Sequence, residues 1–199
     1  NIMPLGAFKA ALMGTAGVST ADVVLLSTQT ASNSATIEFT SDINSTYNEY
    51  VFKVTDVIPA TDEVGLRFET STDGGSSWGV TKTTASFKAE HDVAAPSTEV
   101  IYWTGVAQAT TTITLSDSLG NVAPESGVAT VKLFNPSSTT YVKHVLAETQ
   151  IWKAGAGANR SNHLFVGGYL NTTSAINAVR FKMSSGNITY GKFKMWGVK

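Results

Sequence analysis

Val64-Gly65-Leu66-Arg67-Phe68-Glu69 sets Val64, Leu66 and Phe68 on one phase and Gly65, Arg67 and Glu69 on the other. A strand turns successive side chains to opposite faces, so this period of two describes a sheet with one buried face and one wet face. The same pattern recurs on both sides of the stretch. Ala35, Ile37 and Phe39 alternate with Thr36, Glu38 and Thr40, and Tyr50, Phe52 and Val54 alternate with Val51 and Lys53. Val179, Phe181 and Met183 alternate with Arg180 and Lys182, and Phe193 and Met195 with Lys192 and Lys194.

Further strands are expected over 23–30, 79–87, 98–104, 109–115, 127–134, 140–152 and 163–170. Turn residues separate them: Ser41-Asp42, Asp73-Gly74-Gly75, Ser118 to Asn121, Asn135 to Ser138, Gly155 to Asn159 and Ser184 to Asn187. Roughly ten to twelve antiparallel strands at such spacing predict an all-β fold over residues 22–199, a two-sheet sandwich of jelly-roll or Greek-key type. No fixed-period repeat indicates a propeller or solenoid.

Composition limits the function classes. The chain has 199 residues, no cysteine and a formal net charge of -1, and charged residues make up only 15%. Polarity comes instead from 27 Thr and 20 Ser, and threonine suits an extended backbone. A balance of 14 basic against 15 acidic residues gives no cationic excess for nucleic acid. The lack of cysteine excludes disulfides, thiol catalysis and Cys-ligated metals. No stretch reaches the ~20 apolar residues of a membrane-spanning helix.

Residues 1–21 differ from the rest. Pro4, then Leu5, Phe8 and Leu12 at helical spacing, with Gly14 beyond, predict a short helical arm. The arm, which also carries Met13, is too short to be stable alone in water and must dock on something. A signal peptide is the competing reading, but its apolar core, Ala10 to Met13, is short. Residues 15–21 are expected to be the joint to the sandwich.

Candidate sites are few. Ser71-Thr72-Asp73-Gly74-Gly75-Ser76-Ser77-Trp78 matches the Asp-box pattern Ser-x-Asp-x-Gly-x-x-Trp. It predicts a structural hairpin in which Asp73 caps turn amides, Gly75 takes a positive φ and Trp78 plugs the sheet. Sialidases carry several such boxes and an arginine cluster, and the scattered arginines here do not match that. His91, His144 and His163 show no metal-ligand spacing. Asp62 and Glu63 lie beside a turn rather than facing each other. Tyr102, Trp103 and Tyr169, with Trp152, Tyr190 and Trp196, are weighed as a glycan-stacking platform against a role in the core or a subunit interface. Trp78 and Trp152 read most simply as core. Asn44, Asn159, Asn171 and Asn187 head glycosylation-type triplets of the kind a hydroxyl-rich chain produces by chance. No cofactor, metal or catalytic residue is expected.

Three stretches carry a resemblance: Leu5 to Leu12, Ile43 to Phe52, and Ser184 to Gly191 running on through Lys192-Phe193-Lys194-Met195-Trp196-Gly197-Val198. Together they resemble β-sandwich virion proteins of tailed bacteriophages of aquatic bacteria, of the fibre or decoration type. The resemblance implies a non-enzymatic structural role on the exterior of the head or tail, repeated by symmetry and in contact with other virion proteins. The arm would be the anchor. The alternative is a tail adhesin or carbohydrate-binding module that recognises host surface glycans. Strand edges with few lysines to blunt them favour closed self-association, with a trimer first among the options.

Overall fold

The structure is a computed structural model that describes residues 22–92, 98–104, 109–153 and 160–199. The expected helical arm, with Leu5, Phe8, Leu12 and Met13, lies outside the described residues. Thirteen strands are described: β1 (Val23–Ser34), β2 (Thr36–Phe39), β3 (Glu49–Pro59), β4 (Leu66–Ser71), β5 (Lys82–Asp92), β6 (Thr98–Tyr102) and β7 (Ala109–Thr110), followed by β8 (Ile113–Thr114), β9 (Gly127–Phe134), β10 (Lys143–Lys153), β11 (Arg160–Leu170), β12 (Ala178–Met183) and β13 (Ile188–Val198). They form two sheets. The larger runs β1-β13-β3-β9-β10-β11-β5-β6, with β7 also on β5, and the smaller runs β2-β12-β4-β8. Every paired ladder is antiparallel.

The alternation seen in the sequence becomes the core. Phe52 of the larger sheet meets Phe39, Phe68 and Phe181 of the smaller at centroid distances of 5.6, 6.0 and 6.0 Å. Phe193 reaches Phe181 at 5.3 Å. Such tilted contacts suit the ring quadrupole and lock the two inner faces together. The quoted stretch bends at its start: Val64 makes only an isolated bridge to Leu119, and the ladder begins at Leu66. Glycine at 65 has a local cause, because a Cβ there would lie 2.3 Å from the Ser116 carbonyl oxygen. The expected strand 109–115 divides into two short strands, β7 on the larger sheet and β8 on the smaller.

One strand inverts the rule. On β5 the inward positions are Lys82, Thr84, Ser86, Lys88, Glu90 and Asp92, all buried, while Ala85 and Phe87 face solvent. Beneath β5 the layer is polar. Glu90 accepts hydrogen bonds from Lys88 (2.6 Å), Lys153 (2.9 Å), Asn162 (2.7 Å) and Arg160 (3.2 Å). Asp117 lies 3.2 Å from Lys153 and 3.5 Å from Lys88. Burial alone would push the Glu90 carboxyl up; the hydrogen bonds and charges of Lys88 and Lys153 outweigh it and hold the pKa at about 2. With its charged residues satisfied inside, β5 turns its apolar residues outward.

Candidate functional site

The outward turn of β5 builds a feature on the solvent face of the larger sheet. Register sets Glu148 opposite Phe165, Phe165 opposite Phe87, and Phe87 opposite Tyr102 on the edge strand β6. Phe165 and Phe87 stack at 4.7 Å and 17°, and His163 stacks on Phe165 at 4.3 Å and 25°. Adjacent strands lie about 4.8 Å apart, so rings stacked at this separation stand up from the sheet as a ridge.

The neighbouring row is low. Leu146 faces Gly167, and Gly167 faces Ala85, so two small residues floor a trough beside the ridge. Ridge and trough together line a groove of about 570 Å³, closed by Tyr102 at one end and bordered by Thr130, Lys132 and Glu148 at the other. Phe87 is 47% exposed and Tyr102 61%, which leaves apolar surface uncovered where a lone domain ordinarily presents polar residues. Polar groups edge it: His163 Nε2 lies 2.8 Å from Glu148 Oε1, and Lys132 lies 3.8 Å from Glu49.

The aromatics weighed from sequence separate here. Tyr102 is in the groove. Tyr169 points outward from the same face, two residues beyond Gly167 on β11, edge-on to His144. Trp103 does not join them: it packs against the core, with the Lys88 ammonium 5.1 Å from its ring centroid. Trp152, read as core, stands on the solvent face because the inward phase of β10 falls on Val145, Ala147, Thr149 and Ile151. Trp196 lies further along that face, with Lys53 and Lys194 at 5.7 and 5.8 Å from its ring. Phe87, Phe165, Leu146 and His163 were not foreseen as site residues. The signal was present in Ala85-Ser86-Phe87-Lys88-Ala89-Glu90, where apolar and charged residues alternate and either phase can be the buried one.

The Asp-box turn is a separate structural element. Ser71 Oγ accepts from the Asp73 and Gly75 amides at 3.1 and 2.9 Å and donates to Asp73 Oδ1 at 2.6 Å. Asp73 then accepts from the Ser77 amide and hydroxyl at 2.9 and 2.6 Å. The hydroxyls of Ser71 and Ser77 hold the Asp73 pKa down at about 2. Gly74 and Gly75 have φ of 72° and 94°. Two details depart from the expectation. The turn carries the chain from β4 in the smaller sheet to β5 in the larger instead of closing a hairpin. Trp78 is half-buried under the Arg180 guanidinium, 4.6 Å from its ring centroid, and does not plug a sheet.

All three histidines face outward from the larger sheet, on β5, β10 and β11. Among the described residues no group of three His, Cys, Asp or Glu could hold a metal ion. Asp62 caps the Asn121 amide at 3.3 Å, a loop contact. The solvent face of the larger sheet presents ring edges, a trough floored by small residues, and a polar rim.

No family model matches the chain, and no curated protein sequence matches it. Among solved structures, an aerolysin-like protein from Bombina maxima is 13% identical, covers 81% of this chain and 92% of that chain, and has a TM-score of 0.14. At that score the likeness carries no argument about fold or function.

Proposed function

We propose that this chain is a non-enzymatic structural component of the exterior of a bacteriophage virion, of the fibre or decoration type, and that the solvent face of its larger sheet is a recognition surface for host glycans. The virion setting rests on the sequence resemblance. The observation that carries recognition is the uncovered groove of Phe87, Phe165, Tyr102 and Leu146 over Gly167 and Ala85. Pockets that fix a ligand combine apolar and aromatic lining with a few polar groups at the rim, as here. In this reading the repeated crossings of the chain between sheets are of jelly-roll type, and residues 1–21 form a helical arm that docks on a neighbouring virion protein.

The test has two parts. Deleting residues 1–17 is expected to leave a cooperatively folding protein that no longer enters particles, and failure to fold would remove the anchor. A panel of host-surface glycans arrayed against the native protein and against Phe87→Ala/Phe165→Ala is expected to show binding that the double variant loses. The competing reading makes the same groove a contact between copies in a trimer. Sedimentation showing an oligomer that Phe165→Lys dissociates, with no glycan bound, would replace the recognition reading with that one.

A further inference from the structure

The row that contains the aromatic ridge continues across the sheet, and its far end is basic. Register aligns Lys194 of β13, Lys53 of β3, Thr130 of β9, Glu148 of β10, Phe165 of β11, Phe87 of β5 and Tyr102 of β6 in one line across seven strands. At about 4.8 Å per strand the line is about 29 Å long.

At its basic end Lys53 and Lys194 are direct cross-strand partners on the wet face. Like charges placed opposite each other destabilise a sheet. Neither lysine has a salt bridge among the described residues. Glu49 pairs with Lys132 at 3.8 Å, and Glu148, two strands from Lys53, bonds His163; among the described residues Asp56 at the β3 bulge makes no ion pair, and β1 carries no charged residue. Lys192, two residues along β13, adds a third cation without an ion pair among the described residues. Both opposed ammonium groups instead rest against the Trp196 ring. A repulsive pair held over an indole in mid-sheet violates the local rule for stability, and such violations occur at functional or strained sites.

We infer that an acidic polysaccharide lies along this row, with a carboxylate bridging Lys53 and Lys194 and uncharged sugar rings running toward the groove at Phe165 and Phe87. The inference rests on the glycan reading above and adds its charge class. Charge complementarity points to the occupant: two cations with no ion pair among the described residues suit an anion, and the apolar groove further along the row suits a ligand with non-ionic faces. A bare polyanion satisfies only the first.

The experiment measures binding of the native protein to polygalacturonate and to neutral dextran, by Trp fluorescence titration and affinity electrophoresis, beside Lys53→Gln/Lys194→Gln. Removing two like charges leaves folding intact, which an unchanged or raised melting temperature verifies. Polygalacturonate is expected to bind, and the double variant to bind it about tenfold more weakly, the effect of losing two exposed ion pairs. Dextran is expected to bind weakly and equally to both proteins. Dextran binding as tight as polygalacturonate, with no response to the lysine changes, would overturn the acidic preference and leave the glycan reading standing. Binding of neither polymer overturns the acidic preference, while the panel of host-surface glycans decides the glycan reading separately. A single-stranded DNA oligonucleotide or phosphatidylglycerol vesicles binding as tightly as polygalacturonate, and lost in the variant, would mean that charge alone acts and the polysaccharide assignment is wrong.

Discussion

Glu90→Gln keeps the shape of the side chain and removes the carboxylate that Lys88, Lys153, Asn162 and Arg160 all address. Two routes give the size of the effect. The folded pKa is about 2 against an ordinary 4.5, which by linkage corresponds to roughly 3 kcal/mol of stability at neutral pH. Breaking a buried ion pair while leaving its partner costs about 3 to 5 kcal/mol. The sign follows from the direction of the shift. A carboxylate depressed on folding contributes fully above its unfolded pKa of 4.5 and loses that contribution as the pH falls toward 2. Urea unfolding of wild type and variant should therefore differ by about 3 kcal/mol at pH 7, with a melting temperature lower by roughly 6 to 12 °C for a domain of this size. By pH 3 the gap should shrink to roughly half. A gap absent at pH 7, or unchanged between pH 7 and pH 3, would refute the view that Glu90 is the charge that holds the layer beneath β5.

Ser71→Ala leaves two turn amides without their acceptor, so a loss of about 1 to 3 kcal/mol in urea unfolding is expected, and an unmoved midpoint would show that the Asp-box turn does not depend on that cap. Lys82 donates to the Val80 and Thr111 carbonyls, and burial pulls its pKa down to about 8, as burial also lowers that of Lys143. The folded chain sheds this proton while the unfolded chain keeps it, so unfolding free energy should rise between pH 8 and 10 and Lys82→Met should flatten the rise; a fall in the wild type would contradict the assignment. Phe52→Ala removes a ring that meets three others and should cost about 3 to 5 kcal/mol by calorimetry, with a value under 1 showing that the sheets are not joined there. Gly167→Leu fills the trough next to Leu146, whose Cδ2 lies 3.4 Å from the added Cβ. Stability should stay within about 1 kcal/mol while glycan binding is lost, and retained binding would place the ligand elsewhere.

Local order was legible where one phase of the alternation was plainly apolar. Phe52, Phe68, Phe181, Phe193 and Met195 lie in the core as their spacing implied, and Asn135, Asp42 and Gly186 turn with positive φ where turn clusters stood. The binding face was not legible, for a physical reason. Periodicity tells which residues share a face but not which face is covered. On β5 a buried ion network outweighs the hydrophobic preference and reverses the phase. On β10 the position of Trp152 depended on register against β9 and β11, which no local signal encodes. The row from Lys194 to Tyr102 joins residues from distant parts of the chain, and only strand order brings them together.

Strand order also bears on how the protein is made. β13 lies between β1 and β3, and Val23 pairs with Val198. A ribosome delivers the chain from its N-terminus at roughly 5 to 20 residues per second, so β1 and β3 emerge early and wait for β13, which follows every other described strand. Until Ile188 to Val198 leave the exit tunnel, two long strand edges stand open and Phe181 lacks the ring of Phe193 that packs against it. Such long-range closure is slow. The vulnerable species is thus a nascent chain that holds the other described strands but not β13, and a truncation before Ile188 would cost far more than the share of sequence it removes.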